Sequence, residues 1–144
     1  SQRDLRIHAI YCDPRDGVVA DPTGGIEDLA SPRLRIVGPA FSVDPVRKLR
    51  LVRACASLGA DAEEEAFARS RAMALADVAR ERVFEELRAL LRSAGGLERV
   101  PELWARAGVG ADWPELAPAL AAPAAGALGR GLRRVAEGLV ELAD

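Results

Sequence analysis

The spacing of apolar residues changes once along this chain, near Gly38. Before that point, every second residue from Leu5 to Tyr11 is apolar, and this spacing is typical of a strand with one buried face. After Gly38 the alternation does not recur, and the apolar residues follow the three- and four-residue spacing of helices. The sequence therefore predicts an α+β fold that is mostly α, with its strands confined to residues 1–38.

Turn residues divide this first part into short elements. Residues 13–17 combine a proline with a glycine and predict a tight turn, after which residues 18–20 return as the second strand of a β-hairpin. Residues 21–25 contain a proline and two glycines, so they predict a loop that leads to a short helix at residues 26–29. Residues 34–37 complete this part as one more strand.

The remaining sequence predicts helices only. Asp44 followed by Pro45 is a good start for the first of them, since aspartate caps a helix and proline is tolerated in its first turn. Leu49, Val52 and Ala56 are expected to form the apolar stripe of this helix. The predicted helices lie at residues 44–58, 62–75, 78–93, 98–107, 112–121 and 125–142.

The charge of the chain limits its partners. The sequence has 20 basic and 22 acidic side chains, so its formal net charge is -2 and it is not a polybasic protein. The charge is unevenly distributed, because residues 33–53 hold six basic residues against Asp44 alone. A local basic surface of this kind is where a chain meets phosphate. We expect Arg50 to contact a nucleotide, and Lys48 and Arg53 to contact RNA or phosphate.

The sequence argues against secretion and membrane insertion. Its longest uncharged stretch, residues 116–129, is shorter than a membrane span and is broken by two prolines and two glycines. No secretory signal is evident near the first residue. Cys12 and Cys55 form no C-x-x-C pair, and His8 is the single histidine, so no zinc site is expected. We expect a cytoplasmic protein with reduced thiols that binds no membrane.

No arrangement typical of a catalytic centre follows from the residues themselves. A single histidine excludes most triads, and no carboxylate pair has a telling spacing. Gly24 and Gly25 could approach a phosphate through their amides, but a lone glycine pair is more often a structural turn or a hinge. Asp44, Arg47 and Lys48 are spaced at i, i+3 and i+4, so we expect them to project together from the first turn of their helix.

Several short segments, taken in order, resemble the consecutive motifs of one family, the class II (bacterial) tRNA nucleotidyltransferases and poly(A) polymerases. The segments are residues 3–9, 13–17, 21–29, 35–38, 44–53 and 81–87. One such motif would be weak evidence, but several in order and at the family's spacing make the resemblance specific over about residues 2–93. It implies a template-independent enzyme that adds C or A nucleotides to RNA 3′ ends, in tRNA CCA addition or in polyadenylation.

The resemblance implies roles for the residues that match the family's motifs. Arg3 and Asp4 match the charged pair of R-R-D-F-T-x-N-A, which discriminates the ribose of the incoming nucleotide. Asp44 and Arg47 match E-D-x-x-R, which recognises the Watson–Crick edge of the incoming base. A carboxylate accepts from an exocyclic amine and a guanidinium donates to ring acceptors, so this pair suits such an edge. ATP or CTP is thus the implied ligand, and the 3′ end of tRNA the implied partner.

The same resemblance implies a division of the chain. Residues 1–38 are similar to the rear of the nucleotidyltransferase head, and residues 39–93 are similar to the helical neck that recognises the base. Residues 94–144 are expected to begin the helical body. Gly24 and Gly25 match the flexible link between head and neck and are expected to act as a hinge.

Five positions depart from the family's pattern: Gln2, Leu5, His8, Val43 and Ala54 stand where relatives have arginine, phenylalanine, asparagine, glutamate and an aromatic residue. In the family, the glycine-serine loop and the D-x-D carboxylates that hold Mg2+ precede the arginine–aspartate motif with which this sequence begins. We therefore expect no catalytic and no metal-binding residue in this chain, no activity of the chain alone, and a pairing with a head segment that carries those acids.

Two alternatives remain open at this point. The chain could be a diverged, non-catalytic RNA-binding or interaction module derived from the same family, which the five departures favour. It could also be a helical structural domain without a nucleotide site, which would require the order of the motifs to be accidental. The retention of Arg3, Asp4, Asp44 and Arg47 as a set favours the enzyme.

Overall fold

The structure is a computed structural model that describes residues 3–93, 95–112 and Pro114. It has the α+β, mostly α character that the sequence predicts. The α-helices are α1 (Gly25–Ala30), α2 (Arg47–Leu58), α3 (Glu64–Arg71), α4 (Arg80–Leu91), α5 (Val100–Ala107) and α6 (Val109–Asp112). The strands are β1 (Tyr11–Cys12), β2 (Val19–Ala20), β3 (Arg33–Leu34) and β4 (Asp61–Ala62), and 3₁₀ helices lie at Arg6–Ala9, Gly38–Val43 and Leu97–Arg99.

The segment predicted as a first strand, residues 5–11, is mostly a 3₁₀ helix. The His8 amide donates to the Leu5 carbonyl over 3.0 Å, which closes a helical turn. Leu5 and Ala9 are both buried, so the spacing that decides burial here is four residues rather than two. Leu5 keeps a single antiparallel bridge to Ile36. The predicted strand is therefore wrong over most of its length.

The predicted β-hairpin is confirmed in a shorter form. β1 pairs antiparallel with β2, with Tyr11 opposite Ala20 and Cys12 opposite Val19. Gly17 ends the turn with a φ of 72°, a left-handed value that glycine adopts without strain. The short helix predicted after the hairpin is also confirmed, as α1.

A second small sheet pairs a strand of the first part of the chain with a strand from the part predicted to be only helical. β3 confirms part of the strand predicted at residues 34–37, and its parallel neighbour is β4. Because β4 lies at the start of the helix predicted for residues 62–75, α3 begins only at Glu64. The prediction of helices alone after Gly38 is wrong at this point, since a two-residue strand has no periodicity of its own.

α2 is the central helix of the fold. It begins at Arg47 rather than Asp44, whose Oδ1 instead accepts a hydrogen bond of 3.2 Å from the Val46 amide in the preceding turn. The predicted apolar stripe of this helix is confirmed as buried: Leu49, Val52 and Ala56. The helices α3, α4 and α5 pack against α2 and add further buried side chains to the same core: Phe67, Leu87, Leu103 and Trp104.

Several predictions concern residues outside the described part of the chain. They are the helix at residues 125–142, the uncharged stretch at residues 116–129, and all of the helix at residues 112–121 except Asp112 and Pro114. The domain boundaries at residues 38 and 93 stay a prediction. Within the described ranges, no helix is long and apolar enough to cross a membrane.

Candidate functional site

A polar cleft lies between the N-terminal segment and the helices α2 and α4. Its volume is about 260 Å³, and the residues that line it are Arg3, Asp4, His8, Arg50, Arg53 and Glu86. The first three precede β1 in the sequence, whereas the others belong to α2 and α4, so the fold brings distant segments together here. Four of the residues expected to contact nucleotide or phosphate, Arg3, Asp4, Arg50 and Arg53, therefore share one cleft.

Asp4 is an almost fully buried carboxylate in the wall of this cleft, with 4% of its surface exposed. Its Oδ1 accepts from the Leu5 amide at 2.9 Å and lies 2.6 Å from Nδ1 of His8, whereas its Oδ2 lies 3.5 Å from Nη1 of Arg50. Burial by itself would raise the pKa of Asp4. The hydrogen bond and charge of His8, together with the Leu5 amide, outweigh burial and hold this pKa well below 3.8. Asp4 is therefore ionised at neutral pH.

We expect Asp4 to make the fold sensitive to acid. Because its pKa is lower in the folded than in the unfolded chain, its contribution to stability is fully present at neutral pH and is lost as the pH falls below about 3.8. The variant Asp4→Asn is expected to reduce the free energy of unfolding by about 2 kcal/mol at neutral pH. The difference between wild type and variant is expected to shrink in acid. Denaturant unfolding between neutral pH and about pH 3 measures both effects.

Asp77→Asn is the matched control for this prediction, because Asp77 is exposed and does not line the cleft. It is expected to change stability by less than about 0.5 kcal/mol at any pH. If the stability of Asp4→Asn paralleled that of wild type over the whole pH range, the role given to Asp4 would be wrong.

Glu86 on α4 forms ion pairs with Arg50 and Arg53, two of the arginines that the sequence predicts to contact nucleotide or phosphate. Its Oε1 accepts from Nε of Arg50 at 2.7 Å, and its Oε2 accepts from Nε of Arg53 at 3.1 Å. Burial would lower the pKa of Arg50, but the hydrogen bond and charge of Glu86, with the charge of Asp4, raise it, so Arg50 stays charged. The side chains of Arg50 and Arg53 remain 37% and 35% exposed, and both line the cleft.

Sequence patterns assign neither Glu86 nor His8 to the site. Glu86 belongs to the segment that resembles the supporting neck helix. His8 stands out in the sequence as the single histidine and as a departure from the family's asparagine, and neither feature places it in a site. The sequence does indicate that an acidic partner is needed, because Arg50 and Arg53 are three residues apart and share one helix face. Which acid fills that place follows only from the packing of α2 on α4.

Asp44 and Arg47 are neighbours, but each already has a partner within the protein. The Asp44 carboxylate pairs with the guanidinium of Arg82 on α4. Arg47 is 7% exposed and donates from Nη1 to the carbonyl of Ala40. Burial by itself would raise the pKa of Asp44. The hydrogen bonds from Arg82 and the Val46 amide, with the charges of Arg82 and Arg47, outweigh burial and lower this pKa. Asp44 and Arg47 thus lie close together, with the Asp44 carboxylate already paired with Arg82 and Arg47 nearly buried.

Lys48 points into the core, with 1% of its surface exposed. Its Nζ pairs with Oδ2 of Asp112 at 2.6 Å and donates to the Met73 carbonyl at 2.7 Å. The expectation that Asp44, Arg47 and Lys48 project together is therefore wrong. Asp44 precedes the helix, which begins at Arg47, and the Lys48 ammonium finds compensating oxygens of Asp112 and Met73 inside the protein. A buried Lys48 is not placed to contact RNA or phosphate, so we exclude it from the site.

Gly24 and Gly25 form a tight turn at the start of α1. The Asp21 carboxylate accepts hydrogen bonds from the amides of Gly25 (2.7 Å) and Ile26 (2.9 Å), so these donors are already used. Gly25 is buried, and a Cβ atom there would overlap the backbone of Arg6. The geometry favours a structural turn over a phosphate contact, and the hinge role stays a prediction.

The Mg2+ that the resemblance implies has no fitting ligand set among the described residues. Within residues 3–93, 95–112 and Pro114, no group of three or more histidine, cysteine, aspartate or glutamate side chains could hold a metal ion. The two carboxylates of the cleft, Asp4 and Glu86, are bound by basic side chains.

No family model matches the chain, but several curated proteins of one kind are similar to it. It is 43% identical over 99 residues to a multifunctional CCA protein of Stenotrophomonas maltophilia (strain K279a), a match that covers 64% of this chain and 24% of the relative. A multifunctional CCA protein of Xanthomonas campestris (strain B100) is 46% identical over 100 residues, covering 65% and 24%. One of Nitrosococcus oceani is 42% identical over 119 residues, covering 71% and 29%. The chain thus spans about a quarter of the length of these curated relatives.

Solved structures agree with the sequence matches. A tRNA-processing enzyme with CTP superimposes with a TM-score of 0.64 at 26% identity, over 77% of this chain and 32% of that one. A second solved structure, a tRNA-processing enzyme in apo form 2, superimposes with a TM-score of 0.63 at 26% identity. The match covers 83% of this chain and 38% of that one. The sequence and fold comparisons lead to the same conclusion: this chain is a partial homologue of the bacterial multifunctional CCA proteins.

Proposed function

We propose that this chain is part of a template-independent RNA nucleotidyltransferase that adds C and A nucleotides to the 3′ end of tRNA in the cytoplasm. Within that enzyme, the described residues select the base and the ribose of the incoming ATP or CTP. The similarity to multifunctional CCA proteins and to a tRNA-processing enzyme with CTP supports this proposal. The same relatives favour CCA addition over polyadenylation.

The observation that carries the proposal is the convergence of Asp4, Arg50 and Arg53 in one cleft. Guanidinium groups donate planar, charge-assisted hydrogen bonds that suit phosphate oxygens. Three arginines against two carboxylates give the cleft a net charge of +1. Nucleotides carry several negative charges, so a cleft of this charge attracts them.

Asp44 and Arg47, which do not line the cleft, supply the base recognition in this proposal. The carboxylate accepts from the exocyclic amine that both cytosine and adenine present, and the guanidinium donates to their ring acceptors. Because Asp44 pairs with Arg82 and the nearly buried Arg47 donates to the Ala40 carbonyl, the incoming base must replace or share both contacts. Uracil and guanine do not present the same amine and are expected to bind less well.

Nucleotide binding by the chain is the direct test. We expect ATP and CTP to bind weakly, because this chain spans only part of the relatives' length. Arg50→Ala is expected to weaken both by about tenfold, since it removes a charge-assisted donor from the cleft. Isothermal titration calorimetry measures the affinities, and circular dichroism checks that the variant remains folded.

Arg88→Ala is the matched control for nucleotide binding. Arg88 is also an arginine of this helical region, but it lies on α4, pairs with Glu85 at the surface and does not line the cleft. Its substitution is expected to leave both affinities unchanged. An equal loss in Arg50→Ala and Arg88→Ala would indicate nonspecific charge attraction and would overturn the site.

A further inference from the structure

His8 is the single histidine of the chain and lies in the wall of the cleft. Its side chain is 38% exposed, and its Nδ1 lies 2.6 Å from Oδ1 of Asp4. Members of the family that the sequence resembles have asparagine at this place, so the family pattern assigns no role to an imidazole here. The nucleotide-binding proposal leaves His8 unexplained.

The contact with Asp4 determines which ring nitrogen of His8 carries a proton. Asp4 is ionised, and an ionised carboxylate only accepts hydrogen bonds, so Nδ1 is the donor. The nitrogen that remains for a ligand is therefore Nε2. It accepts a hydrogen bond when the ring is neutral and donates one when the ring is protonated.

The charged groups around His8 favour an anion as that ligand. Those that line the cleft with His8 are Arg3, Asp4, Arg50, Arg53 and Glu86. The 3₁₀ helix Arg6–Ala9 also packs against α1, whose Glu27 and Asp28 both pair with Arg35. The acids of the cleft and of α1 are thus engaged by basic side chains, and protonation of His8 would raise the net charge of the cleft from +1 to +2.

We propose that His8 is a further ligand-contacting residue of this cleft, and that its protonated ring donates from Nε2 to a phosphate group of the bound nucleotide. The inference rests on the proposed nucleotide-binding function and adds to it the chemical group that this residue binds. An imidazolium beside three arginines suits a polyphosphate better than a hydroxyl or an amine, because each of these groups is a cationic donor. Affinity for polyphosphate therefore rises about fivefold to tenfold as His8 becomes protonated.

The reciprocal effect makes this inference measurable in the intact chain. If protonation strengthens polyphosphate binding, then bound polyphosphate shifts the midpoint of the His8 titration to higher pH by the same factor. The NMR signals of the imidazole are identified without ambiguity, because the chain has one histidine. We would record them from about pH 5 to about pH 8, the range in which histidine ordinarily titrates, alone and with ATP, pyrophosphate, adenosine or an RNA hairpin lacking its 3′ CCA.

The expected result is that ATP and pyrophosphate raise the His8 midpoint, whereas adenosine does not. In parallel calorimetry, the ratio of wild-type to His8→Asn affinity for ATP is expected to fall about fivefold to tenfold from acid to alkaline pH. The terminal phosphate of ATP titrates equally for both proteins, whereas asparagine can still donate to Asp4 but cannot be protonated. A merely structural role of His8 would not produce this difference in pH profile.

Other results would overturn the inference in distinguishable ways. If ATP binds by calorimetry but the His8 midpoint does not move, His8 does not contact phosphate and the proposed function stands. If adenosine moves the midpoint as ATP does, the contact is to the nucleoside, and if only the RNA hairpin moves it, the phosphate belongs to RNA; both results overturn the assignment to nucleotide phosphate. If ATP does not bind at any pH, both the inference and the proposed function are wrong.

Discussion

A chimera that joins a D-x-D-bearing segment of a multifunctional CCA protein to this chain is expected to add labelled CTP and ATP to tRNA that lacks its 3′ CCA. The chain of residues 1–144 alone is expected to add none. The described residues supply cationic donors and a candidate base-recognition pair, but no ligand set for the Mg2+ that the resemblance implies. Incorporation assays with both proteins, in a buffer that contains magnesium, measure this difference.

Variants of the chimera separate catalysis from nucleotide choice. Arg50→Ala is expected to reduce incorporation about a hundredfold, because a preorganised donor to the substrate is lost, whereas Arg88→Ala is expected to retain full activity. Asp44→Ala is expected to increase the share of UTP and GTP among the incorporated nucleotides, with a smaller effect on total incorporation. The reason is that Asp44 accepts from the amine of cytosine or adenine in our proposal. A folded chimera that incorporates nothing would instead favour the non-catalytic RNA-binding module. Incorporation by residues 1–144 alone would show that a metal site had been missed.

Asp112→Asn is expected to reduce the free energy of unfolding by about 3 kcal/mol, because it leaves the Lys48 ammonium buried without its counter-charge. The Lys48 Nζ lies 2.6 Å from Oδ2 of Asp112, and their side chains are only 1% and 8% exposed. Oδ1 of Asp112 also accepts from the Leu75 amide at 2.9 Å, and an asparagine keeps an acceptor for that bond. Denaturant unfolding of the two proteins measures the difference.

A double-mutant cycle with Lys48→Met isolates the ion pair. The double variant is expected to be more stable than the sum of the single losses predicts, because removing both charges leaves no uncompensated ion in the core. Glu102→Gln is the matched control, since Glu102 is 66% exposed and lies 3.7 Å from Arg106 at the surface. A surface pair of this kind contributes less than about 1 kcal/mol. Equal losses in Asp112→Asn and Glu102→Gln would contradict the buried ion pair.

Local elements whose signals lie within a few residues could be predicted from the sequence. Proline and glycine at residues 13–17 determine the turn of the hairpin, and the spacing of Leu49, Val52 and Ala56 determines the buried stripe of α2. Turn preferences and amphipathic spacing act over one or two turns of the chain, so they are visible without the fold. The ordered motifs likewise indicated the family that the comparisons support.

Which charged side chains line the cleft and which belong to the core depends on contacts between segments that are distant in the chain. Arg50 and Lys48 are two residues apart, yet the first reaches the cleft and the second is buried against Asp112. β4 and the acid Glu86 were likewise invisible in the sequence pattern, because a two-residue strand and a single carboxylate acquire their roles from partners distant in the chain. Helical spacing states which residues share a face, but the free energy of burying or pairing a charge depends on what the rest of the fold places opposite that face.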